Sequence, residues 1–110
     1  MSIDTVRQLA LAFEEAEELP HFEKTSFRVK KKIFATLDIE RKRAMVKLSE
    51  IDQSVFGSFD NSIIYPVPGK WGLQGATYIE LDKVSEDILS DALKISYCLV
   101  APKKLAEKYL

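Results

Sequence analysis

Two runs of bases, Lys30-Lys31-Lys32 and Arg41-Lys42-Arg43, are the residues whose type and spacing best suit them to a ligand. Each run falls between strand-like stretches, so each reads as the tip of a hairpin. Lys or Arg on such a tip can neutralise phosphate, and counterion release then supplies most of the non-specific affinity for DNA. Arg28, just before the first run, and Lys103 and Lys104 near the C-terminus complete the candidate set. The candidate nucleic-acid contacts are therefore Arg28, Lys30, Lys31, Lys32, Arg41, Lys42, Arg43, Lys103 and Lys104. Phosphate contacts of this kind position DNA without reading its sequence. The competing account is that exposed turns are polar and that charged edges discourage aggregation of sheets.

Other residues offer less chemistry. Glu14, Glu15, Glu17 and Glu18 could ligate a hard cation, but on a helix Glu15 and Glu17 diverge from the face shared by Glu14 and Glu18. His21 has no Ser, Cys or Asp spaced near it as a partner. Cys98 falls in an apolar helical stretch and reads as a small buried residue. Aromatic rings near a basic surface can stack on exposed bases but more often anchor a loop to a core. Tyr65 and Tyr97 suit anchoring, whereas Trp71 sits in a Gly-rich loop that could bring it to the surface and leaves both roles open. Gly69-Lys70-Trp71-Gly72 lacks the spacing of a phosphate-binding loop. No paired acid and base, nucleophile constellation or metal cage is visible, so the chain is expected not to be an enzyme and to need no cofactor or metal.

The elements that must position these residues follow from periodicity. Ser2 caps a first helix with Ile3, Val6, Leu9, Ala10 and Phe13 on one stripe, and Pro20 makes it fade near Glu18. Three alternating strands follow, around Phe27–Val29, Ile33–Asp38 and Ala44–Leu48, as an antiparallel meander. Lys30-Lys31-Lys32 is short enough for a hairpin connection but lacks the Gly or Asn that a primed turn prefers. Ser49 starts a short helix running to about Phe56. Ile63–Tyr65 is strand-like and ends at Pro66. Pro66, Pro68, Gly69, Gly72 and Gly75 punctuate a loop. Thr77, Ile79 and Leu81 share one face of a last strand. Ser85 caps a long helix with Ile88, Ala92, Ile95 and Leu99 at helical spacing, which Pro102 interrupts.

Phe27-Arg28-Val29, Lys32-Ile33-Phe34-Ala35, Tyr65-Pro66-Val67-Pro68-Gly69-Lys70-Trp71-Gly72, Tyr97 and Val100-Ala101-Pro102-Lys103-Lys104-Leu105 occur in that order. This ordered set resembles the MmcQ/YjbR family over about Leu9 to Leu105. The resemblance implies an α+β domain of CyaY-like (frataxin-like) architecture, a curved antiparallel sheet covered by N-terminal and C-terminal helices. It also implies a DNA-binding role through a double wing, with no catalytic residues to carry over. Glu23 and Lys31 depart from the pattern, standing where glycines are usual. Ala76 stands where an aromatic residue is common.

Length and charge bound these expectations. The 110 residues make one domain, residues 1–110, and 46% hydrophobic with 30% charged content fits a globular fold. One Cys excludes an internal disulfide, and one His excludes a multi-histidine metal centre. No apolar run is long enough for a membrane span, and no secretory leader is evident at the N-terminus, so a cytoplasmic location is expected. The net charge of -1 argues against a strongly basic binder. Its distribution is uneven: residues 1–20 sum to -4, residues 21–48 to +6, residues 49–100 to -5 and residues 101–110 to +2. The expected partner is double-stranded DNA, bound weakly and salt-sensitively. The alternatives are another protein that pairs with the bipolar charge, or a cation handled by the acids of the first helix.

Overall fold

Ser2 accepts the Thr5 N–H and starts α1 (Ile3–Leu11), whose Val6 and Ala10 are buried. The computed structural model describes the whole chain, Met1–Leu110. After α1 come β1 (Ala16–His21), β2 (Lys24–Val29), β3 (Lys32–Asp38), β4 (Arg43–Lys47), α2 (Glu50–Phe59), β5 (Ile64–Pro66), α3 (Lys70–Leu73), β6 (Ala76–Glu80), α4 (Glu86–Val100), α5 (Lys103–Ala106) and a closing 3-10 turn at Glu107–Tyr109. The six strands form one antiparallel sheet in the order β1-β2-β3-β4-β6-β5. The α+β expectation holds, with the first and last long helices against one face of the sheet. Their shared core includes Val6, Ala10, Phe27, Leu37, Val46, Ile79, Leu89 and Tyr97, all essentially without solvent contact. No helix is long and apolar enough to cross a membrane.

The first helix ends at Leu11 rather than near Glu18. Glu15 adopts a left-handed φ of 62° and turns the chain into β1, which pairs with β2 from Ala16↔Val29 to His21↔Lys24. Pro20 is tolerated there because β1 is an edge strand, where one side of the backbone needs no ladder partner. The meander therefore has four strands where periodicity gave three. The acids of the presumed helix are spread over a turn and a strand, and three are already engaged. Glu14 pairs with Lys108, Glu15 with Lys30 at 2.6 Å and Glu18 with Arg7 at 3.0 Å.

Strict alternation along β3 would put Ile33 on one face with Ala35 and Leu37, and pairing corrects this. Ala35 faces Phe27 and Ile33 faces Arg28, so Phe34 has no partner on β2. This bulge turns Phe34 inward to meet Phe13 and Tyr97 edge-on, and sends Ile33 to the other face. Elsewhere the local signals translate directly. Ser49 and Ser85 cap α2 and α4, and Thr77, Ile79 and Leu81 are fully buried. α2 runs past Gly57 to Phe59 and leaves Ile51, Val55 and Phe59 exposed at four-residue spacing.

Candidate nucleic-acid interface

The helices leave one face of the sheet open. Cross-strand pairing sets Leu19, Ser26, Thr36, Met45, Tyr78 and Tyr65 in a row across all six strands on that face. A groove of about 740 Å³ runs along it and adjoins a second part of about 260 Å³. The two parts share His21, Thr36, Met45, Trp71 and Ala76 and so form one continuous trough. Arg28, Lys31, Lys32 and Lys47 line the larger part and Lys24 the smaller. No carboxylate lines either part, and none of these five cations makes an ion pair.

Local bonds fix several of these groups. Arg28 Nε donates to Ser26 Oγ at 2.9 Å, and Ser26 Oγ donates to the Leu19 carbonyl at 2.8 Å. The guanidinium is thereby held along β2 rather than loose in solvent. Lys31 owes its place to a two-residue turn in which Lys30 and Lys31 both have positive φ, 50° and 68°. That is the primed geometry that matches strand twist, formed here without glycine. Trp71, on α3, is 70% exposed. The Gln53 amide secures the segment beneath it by donating to the Gly72 carbonyl (3.0 Å), the Ala76 carbonyl (3.3 Å) and Thr77 Oγ1 (3.0 Å). Gly75, at φ 105°, passes so close to β4's exit that a Cβ would lie 2.2 Å from the Leu48 carbonyl oxygen.

The two basic hairpin tips do not converge. Consecutive turns of a meander point to opposite ends of the sheet. The Lys30–Lys31 and Arg41–Lys42 tips are separated by the length of β3, roughly 20 Å. Lys30 is held by Glu15, and Arg41 by Asp38 at 3.1 Å. Burial alone would raise the Asp38 pKa. The hydrogen bonds and charge of Arg41, with Lys24 nearby, outweigh burial and hold this carboxyl below its usual range. Arg43 lies over the Tyr78 ring, its guanidinium carbon 3.8 Å from the centroid. Lys42 is exposed at the far turn, and Lys103 and Lys104 are exposed on α5. Of the nine bases proposed from sequence, the fold brings Arg28, Lys31 and Lys32 into the groove.

Trp71 joins them at the surface, as its Gly-rich loop allowed, and so do Lys24, Lys47 and His21, which were not singled out as contacts. A signal for the two lysines was present. Lys24, Ser26 and Arg28 alternate along β2, and Met45 and Lys47 along β4, so parity assigns them to the solvent face. Cys98 is half-buried, burial raises its thiol pKa, and it donates weakly to the Ala106 carbonyl. Tyr97 is a core anchor, and Tyr65 donates to Glu80 beside it on the open face.

A family model described as YjbR matches residues 11–99. The chain belongs to the YjbR family. No curated protein matches it. The crystal structure of Deinococcus radiodurans protein DR2400, which carries the domain DUF419, is similar to this YjbR chain with a TM-score of 0.81 and 21% identity. The match covers 98% of this chain and 87% of that one. At that identity the likeness speaks to the fold. The YjbR fold therefore accounts for the sheet and its covering helices, while the charge of the open face belongs to the side chains of this sequence.

Proposed function

We propose that this YjbR chain is a non-catalytic DNA-binding protein that holds DNA on the open face of its sheet. The observation that carries the proposal is a trough lined by five unpaired cations and no carboxylate. A polyanion entering it would replace water and counterions around Lys24, Arg28, Lys31, Lys32 and Lys47 without breaking an internal ion pair. The overall charge of -1 supplies no long-range attraction, so the binding is weak and local. Of the two hairpin tips of a double wing, only the Lys30–Lys31 tip would border this surface, through Lys31.

The test is oligonucleotide binding followed by anisotropy across a salt series. Replacing Lys24, Arg28 and Lys47 with alanine is expected to weaken binding and flatten its salt dependence by roughly 0.7–0.9 in log–log slope per lost phosphate contact. Replacing Arg41, Lys42 and Lys103 is expected to leave both unchanged. Binding that is insensitive to salt, or lost equally in both variants, would remove the proposal. A protein-interaction reading draws its support from α2, where Ile51, Val55 and Phe59 face solvent. Sedimentation of the pure protein, with Phe59→Asp as control, tests its simplest form, self-association.

A further inference from the structure

The lining of the trough favours one form of nucleic acid. Lys31, Lys32 and Lys47 are exposed, whereas Thr36 is buried and Ile33 and Met45 are half-buried. Charge thus stands along the sides of a floor that is largely apolar. Trp71 borders both parts of the trough with most of its indole in water. It takes no part in the ring contacts that tie Phe13, Phe34, Tyr97 and Tyr109 together. Its backbone is nonetheless fixed by the three Gln53 bonds and by the close approach of Gly72, where a Cβ would lie 1.8 Å from the Val67 carbonyl oxygen. An apolar ring is therefore displayed on a rigid support beside an unpaired cationic track.

We infer that the trough takes single-stranded nucleic acid, with a base stacked on Trp71 and the backbone phosphates along Arg28, Lys32 and Lys47. This inference rests on the nucleic-acid reading above and narrows it. A duplex keeps its bases stacked on one another and presents phosphates outward, so it would use the lysines but leave the indole and the apolar floor wet. A single strand presents both chemistries at once, phosphate for the cations and an open π-face for the ring. Base–aromatic stacking is sequence-tolerant, as is phosphate contact, so little sequence preference is expected.

Trp71 is the only tryptophan in the chain, so its fluorescence reports on the site directly. The probes are end-labelled oligo-dT and oligo-U of about twelve nucleotides and a mixed-sequence duplex of equal length, each titrated at low and moderate salt. A single strand is expected to bind salt-sensitively, to quench the tryptophan and to bind more tightly than the duplex. Trp71→Ala, read by anisotropy of the label, is expected to weaken single-strand binding by roughly 5- to 150-fold. Trp71→Phe is expected to retain most of the affinity, and circular dichroism checks that both variants fold. A preference between oligo-dT and oligo-U, which differ in the 2′-hydroxyl and in the C5 methyl group of the base, supports the inference either way. Duplex binding as tight as single-strand binding overturns the inference, as does single-strand binding that neither quenches Trp71 nor responds to Trp71→Ala. In both cases salt-sensitive binding leaves the broader reading standing. Absence of salt-sensitive binding to any probe overturns both.

Discussion

The Ser96 hydroxyl accepts the Lys47 backbone N–H at 2.8 Å, although the two residues belong to α4 and β4. The same hydroxyl donates to the Phe34 carbonyl at 2.5 Å. The β3–β4 register pairs Ala35 with Val46, so one further step would set Phe34 against Lys47. A helix side chain stands between them instead, beside the bulge at Phe34. The sheet is opened at that end, where Lys31, Lys32 and Lys47 line the groove. One buried serine thus links helix packing to the shape of the candidate interface.

Ser96→Ala removes both bonds and leaves a backbone N–H and a carbonyl facing a dry core. An unsatisfied buried group costs about 1–3 kcal/mol. Urea denaturation is expected to show a lower midpoint with an unchanged slope, the signature of lost stability rather than a changed unfolded state.

Lys31→Gly separates stability from binding. Lys31 holds φ 68°, a left-handed conformation that costs a side-chain-bearing residue about 1–2 kcal/mol and glycine nothing steric. Allowing for glycine's greater entropy when unfolded, the variant is expected to gain roughly 0.5–1 kcal/mol. Removing a groove cation at the same time should weaken oligonucleotide binding. Thermal melts and salt titrations of one variant would move in opposite directions.

Tyr97 sets an alkaline limit. Burial, then the charges of Tyr109 and Glu14, push its phenol up to about 12. Its hydroxyl donates to the Glu14 carbonyl at 2.6 Å, and Tyr109's hydroxyl accepts the Glu14 N–H, so two tyrosines clasp the turn into β1. In the unfolded chain Tyr97 would ionise near 10. Its neutral form in the fold therefore contributes stability that is complete below pH 10 and lost as pH rises toward 12. Ultraviolet titration should find this phenol ionising last or with unfolding. Tyr97→Phe should lose about 1 kcal/mol at neutral pH and show a weaker decline above pH 10.

Asp38 sets the corresponding acid behaviour. Its carboxyl is held below the ordinary range, so it contributes stability above its unfolded pKa, and that contribution fades as pH falls through the lower folded value. Asp38→Asn or Arg41→Ala should flatten the loss of stability below about pH 4. Arg41→Ala should leave oligonucleotide binding unaltered, because Arg41 lines neither part of the trough, whereas Asp38→Asn removes a negative charge near Lys24 and should strengthen binding slightly.

Gly75→Ala tests the support of Trp71. Positive φ and a 2.2 Å approach to the Leu48 carbonyl leave no room for a methyl group. A loss above roughly 2 kcal/mol is expected. The tryptophan emission should shift as the loop moves, since Gly75 lies between Gly72 and Ala76, two of the points that Gln53 holds.

Local signals decided much of this molecule from sequence alone. Ser2, Ser49 and Ser85 mark helix starts because a cap needs only its own next turn. Thr77, Ile79 and Leu81 declare a buried face because alternation is set by the pleat. These patterns fixed an α+β class and most of the core before any pairing was known. Pairing decided the rest. β1 is invisible to propensity, since Glu17, Glu18 and Pro20 disfavour a strand, yet the edge of β2 accepts it. The +6 segment announced that bases are concentrated but not where they meet. The tertiary structure spent Lys30 on Glu15 and Arg41 on Asp38, sent the two hairpin tips to opposite ends of β3, and gathered Lys24, Arg28 and Lys47 beside Trp71. Charge and periodicity are properties of a chain read in order. Convergence depends on which distant residues share a register, and only the closed sheet supplies that.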